Sequence, residues 1–174
     1  MFLARRLDEE HTVYVNHFFP KKCRVSSPLR HRVVIGVGGN VGDTKRRMHH
    51  VWVHLGKLPY LQRLGSGVIL KNPPFGYTHQ ADFYNTVMEV ATSLSPRQFL
   101  RVLWRIEKRF GRVRSFANAP RTLDLDMLFF EGRRVNYPEL IVPHPHWAKR
   151  LSVVIPLKSM VKNKRRRDYE NLNL

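Results

Sequence analysis

Two aspartates, Asp124 and Asp126, stand two residues apart in the stretch PRTLDLDMLFF at residues 120–130, shortly after Arg121. Alternating polar and apolar residues predict a β-strand here, so both carboxylates share one face with Cα atoms about 6–7 Å apart. Such a pair can hold two divalent cations about 3.5–4 Å apart, a spacing used in phosphoryl chemistry. Arg121 is placed to reach a phosphate oxygen. The simpler alternative is an edge strand whose two aspartates are only solvated.

The same alternation assigns the apolar residues of this strand to its two faces. We predict that Leu128 and Phe130 share the face of the aspartates. The opposite face would carry Leu123, Leu125, Met127 and Phe129. The strand would therefore begin at a chemical site and end in the core.

A second strand is predicted over residues 83–91 and places Phe83 and Asn85 on one face. An aromatic ring beside a carboxamide can hold a flat heterocycle by stacking and paired hydrogen bonds. Ordinary packing at a sheet edge is the simpler alternative. The preceding segment, residues 72–77 (NPPFGY), contains two prolines and a glycine, and it predicts either a stiff loop suited to a pocket wall or an ordinary turn.

Two amphipathic helices must help to position these strands. The first is predicted to begin at Asp43 or Thr44 and to end before Pro59, and the second to begin at Ser95 and to stop at Gly111. Their apolar stripes are Met48, Val51, Trp52, Leu55 and Leu58 in the first, and Phe99, Val102, Leu103, Ile106 and Phe110 in the second. We interpret the basic residues of the second helix as a solvent-exposed surface. Near its end, Glu107 either pairs with basic neighbours or accepts a hydrogen bond from a sugar hydroxyl.

The connections between these elements carry glycines and arginines. An apolar strand at residues 33–37 runs into GGNVGD, whose glycine spacing matches neither the Walker nor the dinucleotide pattern, so we interpret this turn as a plain connector. Residues 111–121 hold three arginines and predict a mobile basic lid. His144 and His146 lack a third ligand nearby in the sequence, so zinc is not expected. Residues 151–157 are mostly apolar and return to the core.

Composition restricts the class of partner. The chain of 174 residues has 31 Lys and Arg against 13 Asp and Glu, a net charge of +18, which favours phosphate-rich partners without choosing among them. A single cysteine excludes an internal disulfide and fits a reducing cytosol. No apolar run reaches membrane-spanning length, so we expect a cytoplasmic protein. We predict a basic N-terminal arm at residues 1–30, one domain at 31–161 and a basic tail at 162–174.

Several stretches, taken together, resemble the 6-hydroxymethyl-7,8-dihydropterin pyrophosphokinase family of folate biosynthesis. They are residues 36–40 (GVGGN), 72–76 (NPPFG), 82–85 (DFYN), 105–107 (RIE), 111–114 (GRVR), 120–126 (PRTLDLD) and 142–144 (VPH). The stretch PRTLDLD is highly specific, whereas the others carry weight only in combination. The resemblance implies an α+β fold with a ferredoxin-like antiparallel sheet and helices packed on it. It also implies transfer of pyrophosphate from ATP to the pterin hydroxymethyl group, with release of AMP.

The resemblance further assigns roles by matching position. Asp124 and Asp126 would bind two Mg²⁺ ions, and Asp124 would also touch the pterin. The remaining pterin-binding residues would be Pro74, Phe75, Phe83 and Asn85, whereas ATP would be bound by Glu107, Arg112, Arg121, His144 and Arg150. Arg112 and Arg121 would be catalytic, acting on the charge that builds up during transfer.

The chain departs from the family pattern in three places. Ser152 stands where a second stacking aromatic is common, the lid lacks a tryptophan for which Phe116 is the candidate substitute, and residues 1–30 have no counterpart. We expect ATP and the pterin as substrates, a monomer, no membrane association and no specific nucleic-acid partner. Two alternatives stay open: a basic nucleic-acid-binding module of ferredoxin-like fold, and a two-metal nuclease. Only the pyrophosphokinase predicts pterin-dependent AMP release.

Overall fold

The strand that carries the two aspartates lies at one edge of an antiparallel sheet. This strand, β8 (Asp124–Phe130), pairs with β4 (His31–Gly39), and β4 pairs on its other side with β7 (Phe83–Thr92). These assignments come from a computed structural model that describes residues 1–23, 28–113 and 119–162, with side chains to residue 160. Both strands predicted at the candidate site are therefore present, separated by one strand.

The remaining strands extend the sheet beyond β7. They are β1 (Leu3–Arg6), β2 (Thr12–Val15), β3 (Lys21–Lys22), β5 (Leu61–Ser66) and β6 (Ile69–Asn72). The order is β1-β2-β6-β7-β4-β8, with β5 pairing to β7 beyond the end of β6 and β3 pairing to β5. A separate hairpin is formed by β9 (Val135–Tyr137) and β10 (Leu140–Val142). The predicted α+β fold with an antiparallel sheet is confirmed.

Helices cover both faces of the sheet. Helices α1 (Thr44–Leu55) and α2 (Pro96–Arg109) bury their apolar stripes in one large cluster that also contains Met88 of β7. Its neighbour Val87 points the opposite way and packs with Val153 of α3 (Leu151–Lys162). The aspartates lie on the face that α3 partly covers, because Leu128 of β8 belongs to the same small cluster as Val153.

The two-residue alternation in β8 fails at Leu128. Pairing with β4 shifts there, so that Met127 and Phe129 lie opposite adjacent residues of β4. As a result Phe130 joins the main core, whereas Phe129 packs against Trp147 on the other face with ring centroids 4.9 Å apart. The sequence prediction for Phe129 and Phe130 was wrong, because one bulged residue reverses the facing of every residue after it. The aspartates precede the bulge and keep their predicted face.

The caps of both predicted helices are confirmed, but the ends differ slightly. Asp43 caps α1 by accepting the Arg46 N–H at 3.0 Å, and Ser95 forms a capping box with Gln98 in α2. Helix α1 ends at Leu55, so Leu58 packs on the core from the turn that follows rather than from the helix. The polar strand β5 was not predicted, because its sequence LQRLGS lacks an apolar alternation.

The N-terminal arm is part of the sheet over residues 1–23. The hairpin of β1 and β2 pairs with β6, and β3 pairs with β5. Phe19 is fully buried against Trp52, with ring centroids 6.5 Å apart.

The predicted tail after residue 162 lies outside the described residues. Within the described part of the chain, no helix is both long and apolar enough to cross a lipid bilayer.

Candidate active site

A single row across three strands connects the candidate metal and heterocycle residues. Asp124 on β8 lies opposite Gly38 on β4, and Gly38 lies opposite Asn85 on β7. Directly opposed residues in antiparallel strands project to the same side of a sheet. Asp124 and Asn85 therefore project from one face with only a glycine between them. Two residues further along β8, on the same face of the sheet, Asp126 lies opposite Gly36.

Arginines engage both carboxylate oxygens of Asp124. Arg112 Nη2 lies 2.8 Å from Asp124 Oδ1, and Arg121 Nη1 lies 2.7 Å from Oδ2. Arg112 also donates to Oε1 of Glu107, a carboxylate that is only 4% exposed and accepts the Leu125 N–H at 2.7 Å. In the ligand-free protein, the two arginines predicted for the triphosphate thus form ion pairs with acidic groups.

Among the described residues, Asp126 has no pair of arginine partners like that of Asp124. Burial raises the pKa of Asp126 to about 6, repulsion from Asp124 adds to the rise, and Arg150, Arg112 and Arg121 partly oppose it. The neighbouring arginines therefore do not fully offset the cost of burying an ionised Asp126. A bound divalent cation would offset it, and carboxylate oxygens are ligands that suit Mg²⁺.

The rest of a magnesium coordination shell would have to come from other groups. Among the described residues, no three His, Cys, Asp or Glu side chains are grouped so as to hold a metal. Mg²⁺ commonly uses one or two carboxylates and completes its octahedron with water and substrate phosphate. Asp124 and Asp126 fit that pattern, in which the nucleotide supplies the remaining oxygens.

Asn40 is a structurally central residue that the sequence did not reveal. Its Oδ1 accepts the Arg121 N–H at 2.9 Å, and its Nδ2 donates to Gln80 Oε1 at 2.8 Å and to the carbonyl of Ala81 at 2.9 Å. Its own N–H donates to the Arg121 carbonyl at 3.0 Å. The interpretation of this turn as a plain connector was incomplete, because Asn40 ties the segment before β8 to the segment before β7.

Gly39 allows this close approach. A Cβ at Gly39 would lie 2.6 Å from the backbone carbonyl oxygen of Thr122, which cannot move without shifting the segment that leads into β8. Gly39 therefore allows the turn to pack closely against the segment that leads into β8.

The residues predicted for the heterocycle slot lie on β7 and in the loop that precedes it. The guanidinium carbon of Arg121 lies 5.4 Å from the centroid of the Phe83 ring, so a cation covers the ring in this state. Asn85 Nδ2 donates to Asn72 Oδ1 at 2.7 Å. In the loop between β6 and β7, Pro74 is half-buried, whereas Phe75 is 89% exposed. Ser152, where the resemblance places a second stacking residue, is the second residue of α3.

A cavity of about 430 Å³ opens on the other side of the aspartates. Its polar end is formed by Glu107, Arg112, Asp124, Asp126 and His144. Its opposite wall is mostly apolar and includes Leu100, Trp104, Pro138, Leu140, Ile141 and Pro145. Trp104 and Ile141 remain 42% and 47% exposed, so both can contact a ligand in the cavity. The sequence analysis missed Trp104, although an isolated tryptophan on the basic face of α2 was an available signal.

His144 borders the cavity as a neutral imidazole. Burial lowers its pKa, and the nearby positive charge of Arg150 lowers it further. Its Nδ1 accepts the His146 N–H at 3.2 Å, which places the proton of the neutral ring on Nε2. His144 can therefore donate a hydrogen bond to an oxygen of a bound ligand. Arg150, which begins the approach to α3, is exposed.

Part of the predicted site lies outside the described residues. Residues 114–118, which include Phe116 and the centre of the predicted lid, are among these. The described residues that border this segment are Val113 and Ala119, and Arg121 Nε donates to the carbonyl of Ala119 at 3.2 Å.

An α+β sheet with paired carboxylates, converging arginines and a cavity between them is typical of enzymes that transfer phosphoryl groups. The particular family follows from comparison with known proteins. The model of the 7,8-dihydro-6-hydroxymethylpterin-pyrophosphokinase family matches residues 34–162, and the chain belongs to this family.

Similar proteins carry the corresponding name, 2-amino-4-hydroxy-6-hydroxymethyldihydropteridine pyrophosphokinase. The Helicobacter pylori protein is 37% identical over 147 residues, covering 83% of this chain and 90% of that protein. The Campylobacter jejuni protein is 35% identical, with 82% and 90% covered, and the Bacillus subtilis protein is 36% identical, with 71% and 74% covered. The expected family resemblance is therefore confirmed over most of the chain.

Proposed function

We propose that this chain transfers the pyrophosphoryl group of ATP to 6-hydroxymethyl-7,8-dihydropterin, giving AMP and the pterin diphosphate in folate biosynthesis. The observation that carries the proposal is the row formed by Asp124, Gly38 and Asn85. It brings a carboxylate pair suited to metal-bound phosphates beside a carboxamide suited to a heterocycle. In the reaction, the hydroxymethyl oxygen attacks the β-phosphorus of ATP and loses its proton to solvent, the bond from that phosphorus to the oxygen shared with the α-phosphate breaks, and AMP leaves with that oxygen.

We propose that ATP occupies the cavity of about 430 Å³. Its triphosphate belongs at the polar end, where the arginines and aspartates converge, because charge and hydrogen-bond donors are found there. The base and ribose then lie towards Trp104 and Ile141, whose exposed apolar surfaces suit a flat ring. His144 Nε2–H and Arg150 would donate to oxygens of the nucleotide. Glu107 borders the same cavity, where Arg112 and the Leu125 N–H already occupy its Oε1.

Two Mg²⁺ ions are the cations that we propose for Asp124 and Asp126. Bound Mg²⁺ would polarise the phosphoryl oxygens and lower the charge repulsion that opposes attack. Displacement of Arg112 and Arg121 from Asp124 would free both guanidinium groups for the triphosphate. In that position they would stabilise the negative charge that shifts towards the leaving AMP.

The pterin would occupy the slot around Phe83 and Asn85. Its ring would replace the Arg121 guanidinium over Phe83, and its polar edge would meet Asn85. The loop containing Pro74 and Phe75 would form the adjacent wall. This placement directs the hydroxymethyl group along the row of side chains towards Asp124 and the phosphates.

An AMP-release assay tests the proposed function directly. Purified protein with Mg²⁺ and ATP is expected to release AMP only when 6-hydroxymethyl-7,8-dihydropterin is added, with one pterin diphosphate formed for each AMP. Chromatographic separation of ATP, ADP and AMP distinguishes this reaction from ordinary phosphoryl transfer. ADP formation, or AMP release that does not depend on the pterin, would contradict the proposal.

The comparisons do not support the nucleic-acid-binding alternative. Phe83 also differs from an exposed platform for bases, because Arg121 covers it and Asp124 lies beside that arginine. A carboxylate beside the ring would repel a phosphate backbone in the absence of metal.

Replacement of Trp104 tests the orientation of ATP. Trp104→Ala should raise the KM for ATP by about tenfold, because loss of an aromatic contact with a base costs about 1–2 kcal/mol. The KM for the pterin should stay within about twofold. In the wild type, titration with a non-hydrolysable ATP analogue should quench tryptophan fluorescence, and Trp104→Phe should lose most of the quenching while keeping most of the affinity. An unchanged KM for ATP in Trp104→Ala would place the base elsewhere.

A further inference from the structure

The carboxamide of Asn85 can present either of two chemical faces to a ligand. Its oxygen only accepts hydrogen bonds, whereas its NH₂ group only donates them, and a rotation of 180° exchanges the two. Asn85 lies between Asn72, at the end of β6, and Gly38 on β4. These two neighbours decide which face is presented.

Asn72 determines the polarity of the hydrogen bond on the β6 side. Its Nδ2 donates to the Pro73 carbonyl at 2.8 Å, and a backbone carbonyl can only accept. Asn72 must therefore turn its oxygen away from Pro73, and that oxygen accepts from Asn85 Nδ2 at 2.7 Å. The backbone carbonyl of Pro73 thus sets the direction of both side-chain amides.

Gly38 provides the space for the other end of the carboxamide. A Cβ on Gly38 would lie 2.5 Å from Asn85 Oδ1, far inside normal contact distance. The oxygen can occupy this position only because residue 38 has no side chain. Gly38 is not among the glycines with positive φ, so an alanine there would meet the oxygen without backbone strain.

We propose that Asn72 and Gly38 are positioning residues that hold the Asn85 carboxamide in one orientation, with Oδ1 over β4 as an acceptor for N–H groups of the heterocycle. This inference rests on the proposed function. It makes the site selective for a ring whose edge carries a lactam N–H and an amino group, as a 2-amino-4-oxopteridine does. A ring without those donors would exclude water from the Asn85 oxygen and leave it unpaired, which is the situation that binding sites discriminate against most strongly.

Two isosteric substitutions at Asn72 separate hydrogen bonding from shape. Asn72→Leu keeps the volume but removes the acceptor for Asn85 Nδ2, whereas Asn72→Asp keeps an acceptor there. We expect the Kd of the pterin, measured by calorimetry with Mg²⁺ and a non-hydrolysable ATP analogue, to rise about tenfold in Asn72→Leu and less than about threefold in Asn72→Asp. Equal losses in the two variants would overturn the proposal, because the loop shape alone would then account for them.

Gly38→Ala tests the second neighbour and has a matched control. The added methyl group should displace Asn85 Oδ1 and raise the pterin Kd about tenfold or more, with the Kd of the ATP analogue unchanged. Gly36→Ala adds the same methyl group two residues earlier, where its nearest atoms are the Leu128 side-chain carbons at 3.6 Å, an ordinary contact. We expect little change in the pterin Kd for that variant. Equal effects of the two alanines would contradict the role of Gly38.

Ligand selectivity is the decisive measurement. The wild type should bind 6-hydroxymethylpterin more tightly than an analogue in which hydrogen replaces the 2-amino group, and Asn85→Ala should remove most of that preference. Asn72→Leu should also reduce the ratio of the two Kd values, because an amide that can rotate can offer its NH₂ group instead. A weaker affinity with an unchanged ratio would show a purely structural effect and overturn the inference. Failure of the wild type to bind either pterin would instead contradict the proposed function.

Discussion

Replacement of Asp126 by asparagine should abolish pyrophosphoryl transfer and at the same time stabilise the ligand-free protein. Transfer should fall below detection because the amide supplies no charge to hold Mg²⁺ between β8 and the triphosphate. The stabilisation follows from the pKa of Asp126, which burial and Asp124 raise from 3.8 to about 6. Since a unit of pKa corresponds to about 1.4 kcal/mol, the ionised carboxylate costs the ligand-free fold about 2–3 kcal/mol at neutral pH.

The pH dependence of stability provides the measurement. Because the native protein holds this proton more tightly than the unfolded chain does, the contribution of Asp126 to stability is lost as the pH rises from about 4 to about 6. Urea unfolding of the wild type should show this decline, and Asp126→Asn should show much less of it. At pH 7.5 the variant should have the higher free energy of unfolding when Mg²⁺ and nucleotide are absent.

Two controls make the Asp126 prediction specific. Glu9→Gln removes an exposed carboxylate and should change the free energy of unfolding by less than about 0.5 kcal/mol. Addition of Mg²⁺ with an ATP analogue should stabilise the wild type but have a much smaller effect on Asp126→Asn. Near-normal turnover in well-folded Asp126→Asn or Asp126→Ala would remove the metal role, and equal stability of variant and wild type at pH 7.5 would remove the electrostatic argument.

Arg112→Ala and Arg121→Ala should each lower the rate of transfer at saturating substrate about 10²–10³-fold. Two cations at the aspartates cannot neutralise a whole triphosphate under attack at its middle phosphorus, and these guanidinium groups are the protein cations already adjacent to Asp124. Interactions that act mainly on developing charge contribute several kcal/mol to the barrier. Pterin binding should change little, and Arg121→Ala leaves Phe83 uncovered for stacking.

Single-turnover kinetics distinguishes catalysis by the arginines from docking of ATP. Arg105→Ala, which removes an exposed arginine of α2, serves as the charge-matched control and should react at close to the wild-type rate. Arg112→Lys is also needed, because among the described residues loss of Arg112 leaves Oε1 of the buried Glu107 with the Leu125 N–H as its remaining partner. Variants that bind ATP poorly but react normally once saturated would show that the arginines only dock the nucleotide.

The sequence by itself determined the features that depend on near neighbours in the chain. The shared face of Asp124 and Asp126, and that of Phe83 and Asn85, follow from the two-residue repeat of a strand. The caps of α1 and α2 follow from side chains that bond to the next turn of the same helix. Such signals are local, and the stretch PRTLDLD added the family. The α+β fold and the reaction class were therefore predictable.

The tertiary structure alone decided which distant segments meet and in which register. The bulge at Leu128 exists only in the pairing of β8 with β4, and it exchanged the facing of the two phenylalanines that follow it. No periodicity in residues 1–23 indicated that they would pair with β5 and β6. Pairing between strands depends on sidechain packing and closure of long loops, which no short window of sequence contains.

The site shows the same division. The sequence supplied the residue types, but the structure placed Gly38 between Asp124 and Asn85, Asn40 against Arg121, and Trp104 in the wall of the cavity. Each of these relations joins segments that are more than 15 residues apart. A glycine, an asparagine and a tryptophan are unremarkable in isolation, and their roles arise because the fold leaves only one arrangement of hydrogen bonds and space around them.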